Sequence, residues 1–215
     1  MFVDREHAGE MLSKSLAHFQ GRHPPPVVLG LPRGGVVVAA VIARSLQAPL
    51  DVLLVRKLGA PQQPELAIAA LTLHDDQPHV ILNHRVIEAV GVDESYLANE
   101  TSVQVDEIRR RRWLYRGERP PVALAGRTVI VVDDGIATGA TVRAALQLVR
   151  KAEPARLILA VPVAPAQAID ELRREVDELI CLHAPWNFTA VGASYQHFDQ
   201  TTDEEVIELL KSSAS

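Results

Sequence analysis

The 215-residue sequence holds one cysteine, Cys181, and only 4% of its residues are aromatic. A single thiol cannot close an intrachain disulfide, so the fold must rest on a packed core, and a reducing compartment is the natural setting. Also missing is any run of the ~18–20 apolar residues that a membrane-spanning helix needs. The N-terminus lacks a basic stretch followed by an apolar one, the plan of a secretory leader. A cytoplasmic protein without a membrane partner is expected. Positive charge is short as well: 22 Lys and Arg stand against 27 Asp and Glu, a net charge of -5. No overall field draws this chain to nucleic acid, so an anionic ligand must be held by local features. Cys181 lies in the apolar run "LICL", the setting of an unreactive core thiol.

What is present is the mixture of a globular protein, 47% hydrophobic and 23% charged, with no repeat and no linker. One domain over residues 1–215 is expected. Ala8, Met11, Leu12, Leu16 and Phe19 recur at helical spacing after Asp4, a capping residue, and "HPPP" stops that helix. "VVLGL" reads as a strand, residues 34–46 as a helix and "PLDVLLVRKL" as the next buried strand. Three prolines and two aspartates between residues 58 and 78 mark loops around a strand at "ELAIAAL", and this stretch is expected to be mobile. "HVILN" reads as a short strand. Residues 93–116 form one long polar helix, with Tyr96, Val103, Ile108 and Trp113 among its apolar positions. "TVIVVDD", a helix over 140–151, "RLILAVPV", a helix through Ile169 and Leu172, and "VDELICLHA" follow, before a C-terminal helix capped by Thr202 or Asp203. Strands alternating with helices imply an α/β, Rossmann-like fold with a mainly parallel sheet flanked by helices.

Within "VIVVDDGIATGAT" (129–141), Asp133 and Asp134 fall at a strand's carboxyl end, where ligands of open parallel sheets sit. The residues Gly135, Ile136, Ala137, Thr138, Gly139, Ala140 and Thr141 lead into a helix start. That start offers free backbone N–H groups, two hydroxyls and the positive end of the helix dipole, a seat for phosphate. Carboxylates accept hydrogen bonds from sugar hydroxyls and repel phosphate, so the ligand needs hydroxyls beside the first group and phosphate at the second. A ribose 5-phosphate has both. No Lys follows Gly139, which excludes a nucleotide-triphosphate P-loop, and the G-x-G-x-x-G dinucleotide pattern is not met.

This segment resembles the 5-phosphoribosyl 1-pyrophosphate (PRPP) signature of the type I phosphoribosyltransferases, departing from it at Gly135 and Ala140. "GLPRGGVVVAAVIA" is similar to that family's pyrophosphate loop, and "LLVRKLGAP" to the basic pair that opens its catalytic loop. The run through "PELAIAAL" also resembles a bacterial group labelled only as phosphoribosyltransferases. The resemblance implies a small hood over the sheet, built from the N-terminal and 184–200 segments, and a flexible loop near 57–78. It further implies diphosphate binding by Arg33, Gly34, Gly35, Arg56 and Lys57, and ribose hydroxyls held by Asp133 and Asp134. Mg2+ would be carried mainly by PRPP, with the two aspartates in indirect contact. In 6-oxopurine relatives an aspartate stands at the position of Ala137, so an adenine-like or other acceptor is expected here. Glu65 is the candidate base, set against a solvated loop residue, and Trp186 or Phe188 the candidate stacking ring, set against core packing. The expected partners are PRPP and a base, in a homo-oligomer, a dimer. A PRPP-sensing regulator and a PRPP hydrolase stay open as alternatives. The arginines at 109–112 read as a solvated helix face paired with Asp106 and Glu107, and "LHDD" (73–76) as a turn rather than a metal site.

Overall fold

The computed structural model describes residues 1–74 and 77–213, with the side chains of Glu65 and His74 excluded. Asp75 and Asp76 of the "LHDD" turn therefore lie outside the described residues. Five strands form a parallel sheet in the order β2-β1-β6-β7-β8: β1 (Val27–Gly30), β2 (Leu50–Val52), β6 (Thr128–Val132), β7 (Arg156–Val163) and β8 (Glu178–His183). This is the α/β architecture that the alternating pattern implies. Successive residues of the central strands face opposite layers. Val28, Ile130 and Ile158 pack against α1 (Arg5–Ser15), α2 (Gly34–Leu46) and α7 (Asp203–Ser212), while Leu29, Val131 and Leu159 pack against α5 (Ala140–Arg150) and α6 (Ala166–Leu172). Both faces are covered, which is why these strands read as unbroken apolar runs.

The chain moves outward from β1 to β2 on one side and from β6 through β7 to β8 on the other. The order of strands thus reverses between β1 and β6, whose ends are level, Gly30 beside Val132, and joined by Leu31 N–H donating to Val132 O at 2.9 Å. A crevice opens at such a point, and both candidate loops border it.

One expected strand breaks in two. "PLDVLLVRKL" forms β2 only as far as Val52, and Arg56 already belongs to a second sheet of three antiparallel strands, β3 (Arg56–Ala60), β4 (Gln63–His74) and β5 (Gln77–Leu82). Leu53 and Leu54 in the bend are buried, so the bend leaves no trace in the hydrophobic pattern. The loops expected between residues 58 and 78 are largely this meander. Leu58, Ile68 and Leu71 are fully buried with Val105 and Ile108 of α4 (Glu94–Arg116), and the Tyr96 hydroxyl donates to Gly59 O at 3.0 Å. A short helix, α3 (His84–Val90), joins this sheet to α4.

Caps match the sequence closely. Asp93 accepts from Tyr96 N–H at 2.7 Å to start α4, Asp4 starts α1, and Thr202 forms a reciprocal box with Glu205 at α7. Helix α1 stops at Ser15, ahead of "HPPP", and a 3-10 turn (Ala17–Phe19) fills the interval. On α4, Val103 and Trp113 are exposed rather than inward, leaving Val105, Ile108 and Tyr115 to face the core. Arg109 pairs with Asp106, and Arg110 and Arg111 with Glu107, whose carboxyl their hydrogen bonds pull down to about 2. No helix is long and apolar enough to cross a membrane among the described residues.

Asp51 on edge strand β2 is buried and held by Arg116 Nε at 2.7 Å and Val122 N–H at 3.1 Å, while Arg116 also donates to Val52 O. Removing one partner of a buried ion pair strands the other charge at a cost of about 3 kcal/mol or more. Arg116→Met should therefore lower the free energy of unfolding by about 3 kcal/mol in a urea titration. A loss under about 0.5 kcal/mol would show the pair to be idle.

Candidate active site

Two turns built on adjacent strands meet at the crevice. After β1 the chain passes Leu31, Pro32 and Arg33 and enters α2 at Gly34, and the Pro32–Arg33 peptide is cis. After β6 come Asp133 and Asp134, both partly buried, then the residues that enter α5. A Cβ on Gly34 would fall 1.9 Å from Asp134 Oδ2, and one on Gly35 would fall 2.9 Å from Asp133 Cα and Val132 O. The two glycines are required so that the acidic pair can lie against the first turn. Sequence reading assigned them only to opening backbone N–H groups to a ligand; the packing adds a second reason.

The acids are held unequally. Asp133 Oδ1 accepts from the N–H of Asp134 at 2.9 Å, and burial, with the charge of Asp134 adding to it, pushes the Asp133 carboxyl well above the usual carboxylate range. Asp134 pairs with Arg5 from the first turn of α1, Nε to Oδ2 at 2.7 Å, and its carbonyl accepts from the Tyr195 hydroxyl at 2.5 Å. Burial, then the nearby carboxylates, raise the Tyr195 phenol, which stays a donor. The Arg5 guanidinium also donates to Asp199 O at 2.7 Å and lies 3.9 Å above the Phe198 ring.

Chain segments far apart in sequence supply these supports. Phe2 pairs with Tyr195 through Phe2 N–H to Ser194 O and Gln196 N–H to Phe2 O. Phe2, Ala8, Val163 and Tyr195 form a small core, against which Phe188 and Val191 pack. Gly135 fits beneath it, since a Cβ there would stand 2.4 Å from Val191 Cγ1. That contact accounts for glycine where the signature commonly has a larger residue.

Two cavities meet at Asp133. One of about 380 Å3 is lined by Arg5, Arg33, Gly34, Asp133, Asp134 and the 198–201 segment. The other, about 180 Å3, is bordered by Asp133, Thr141, Arg56 and Arg111, and by Leu53 to Val55. Asp133 and Pro32 line both. Gly139 starts α5 at φ 78°, a left-handed conformation that suits glycine, and leaves Thr138, Ala140 and Thr141 exposed at the helix mouth. Ile136 is buried, its N–H donating to Val163 O, and Ala137 is exposed.

The remaining sequence candidates divide. Arg56 reaches the smaller cavity, with its Nε donating to Gln104 at 2.8 Å. Lys57 is exposed and follows it on a strand, where neighbouring side chains point to opposite faces. Trp186 is fully exposed, whereas Phe188 is half-buried in the Phe2–Tyr195 core. Glu65 lies on β4, and its side chain is outside the described residues. Sequence reading missed Arg5, Tyr195, Gln104 and Phe198, which carry no local motif and reach the site only through tertiary contacts. Among the described residues no group of three His, Cys, Asp or Glu could hold a metal ion.

Comparison with known proteins identifies the family. Residues 5–197 match the family model described as "Phosphoribosyl transferase domain". Over 210 residues the chain is 44% identical to "Putative phosphoribosyl transferase Rv0571c" of Mycobacterium tuberculosis H37Rv, and equally to MT0597 of strain CDC 1551. The match covers 98% of this chain and 46% of each relative, so the chain spans about half the length of the curated relatives it matches. The crystal structure of TT1426 from Thermus thermophilus is 45% identical, with a TM-score of 0.84 over 97% of both chains. With its acids seated against two glycines at the reversal of strand order, and with this match over most of its length, the chain belongs to the phosphoribosyl transferase domain family.

Proposed function

We propose that this domain transfers the phosphoribosyl group of PRPP to a nitrogen of a heterocyclic base and releases diphosphate. One observation carries the reading: Asp133 borders two arginine-lined cavities, and Asp134 lines the larger of them. PRPP has the matching order of groups, phosphate at one end, ring hydroxyls in the middle and diphosphate at the other. In this reading the 5-phosphate sits at the mouth of α5 on Thr138, Gly139 and Thr141, and the diphosphate lies by Arg33 and Gly34.

As the bond from the anomeric carbon to the diphosphate oxygen breaks, positive charge develops on the ring and negative charge on the leaving group. Asp133 and Asp134 receive the hydroxyls and favour the cationic ring, while arginines meet the diphosphate. The anomeric carbon then bonds to the base nitrogen, which gives up a proton. The acids fit a Mg2+ brought by the donor's own oxygens, because two carboxylates with no third ligand among the described residues suit water-mediated contact better than a dedicated metal cage. The ion would neutralise charge on the diphosphate. Ala137 cannot titrate, which favours an adenine-like or other acceptor over a 6-oxopurine. Of the two candidate rings Trp186 has the open face for stacking, and Glu65 is proposed as the base.

The assay is incubation with PRPP and Mg2+ against a panel of bases, following diphosphate and product mass. Release that requires a base supports transfer. Release without one indicates a hydrolase, and binding without release a regulator. Asp133→Asn combined with Asp134→Asn should abolish turnover with an unchanged far-UV circular dichroism spectrum, and wild-type rates in that protein would refute the site.

The raised Asp133 carboxyl fixes a sign for stability. The folded state holds this proton more tightly than the unfolded state, so stability falls as pH rises from 3.8 through the raised value, and above it stays lowered. Asp133→Asn keeps an oxygen to accept from Asp134 N–H and removes the penalised charge. The single variant should melt above wild type at pH 7, by a few degrees for each ~1 kcal/mol recovered, and the gap should close toward pH 4. A lower melting temperature at pH 7 would contradict this assignment of charge at the site.

A further inference from the structure

Arg5 is one of the parts of the site that no motif announces. It stands 129 positions from Asp134, yet its guanidinium is fixed on three sides, by Asp134 Oδ2, by Asp199 O and by the face of Phe198. Its side chain keeps only 13% exposure, and its Nε is also the atom that a Cβ on Gly34 would meet at 2.6 Å. The first turn, the acidic pair and the N-terminal helix are therefore built around this one cation.

Its place decides its use. The cavity on the Arg33 side is lined by two cations, Arg5 and Arg33, and three carboxylate-bearing residues, Asp133, Asp134 and Asp199. Arg5 moves the balance from one against three to two against three and sits directly on Asp134, so it lowers the repulsion that a diphosphate entering beside that carboxylate would meet. An arginine held by stacking and by one carboxylate keeps a planar fork of donors at low conformational cost, which suits phosphate oxygens.

We propose that Arg5 is a donor-binding residue: it offsets the charge of Asp134 and supplies a hydrogen-bonding cation to the diphosphate of PRPP, on the side of the site that Arg33 borders. The inference rests on the PRPP reading above and adds to it a contact drawn from the N-terminal helix. Ribose 5-phosphate distinguishes this role from simple support of the acids, because it has the ring hydroxyls and the 5-phosphate but no diphosphate.

The test is calorimetric titration of wild type, Arg5→Gln and Arg5→Lys with PRPP, inorganic diphosphate and ribose 5-phosphate, each with Mg2+, alongside melting temperatures. Arg5→Gln should weaken PRPP and diphosphate by about tenfold, the scale of one charge-assisted contact, and leave ribose 5-phosphate within about twofold. Arg5→Lys should recover part of the loss, since it restores charge but not the fork. Equal weakening of PRPP and ribose 5-phosphate would overturn the proposal in favour of a purely structural arginine, as would unchanged binding of all three. Failure of wild type to bind PRPP would instead overturn the donor reading itself, and this inference with it.

Discussion

Two aspartates lie against two glycines where strand order reverses, and the rest of the site depends on that close contact. It requires β1 and β6 to end level, so that the turn after one can touch the turn after the other. It requires a residue without a side chain at Gly34, because the space of its Cβ is taken by an Asp134 oxygen. It also places like charges side by side in a partly enclosed crevice, which is costly, and the fold answers unequally: Arg5 pairs with Asp134, while burial and the neighbouring carboxylate push the Asp133 carboxyl up.

The N-terminal segment and the stretch after β8 then have a common purpose. Phe2, Tyr195 and Phe198 make a small apolar cap, and from it Arg5 and the Tyr195 hydroxyl reach down to Asp134. The cap thereby links the carboxylate to two distant parts of the chain, and a Cβ at 135 would crowd Val191 beneath it. On the opposite side, the three-stranded sheet is anchored on α4 and brings Arg56, with Gln104 as its acceptor, toward Thr141.

Much of this was legible in the residues. Parallel strands covered on both faces leave unbroken apolar runs, and helices leave caps such as Asp93 and Thr202, so the element order could be read directly. The acidic pair could be read because two adjacent charges at the end of a buried strand are costly and fall where ligands of open parallel sheets sit. The break in "PLDVLLVRKL" could not, since Leu53 and Leu54 are buried whether the chain runs straight or bends. Nor could the meander that follows, where Pro61, Pro64 and Pro78 suggest loops but fall at a turn and near strand starts. Arg5 was invisible for a further reason: an arginine near a helix start is ordinary until the fold brings it to a carboxylate 129 residues away.

The most direct test is a crystal structure of the protein soaked with PRPP and Mg2+. The account predicts the 5-phosphate on the backbone around Gly139, the ring hydroxyls within hydrogen-bond reach of Asp133 and Asp134, and the diphosphate beside Arg33. Donor bound elsewhere, or bound in the opposite direction with diphosphate at Gly139, would contradict it.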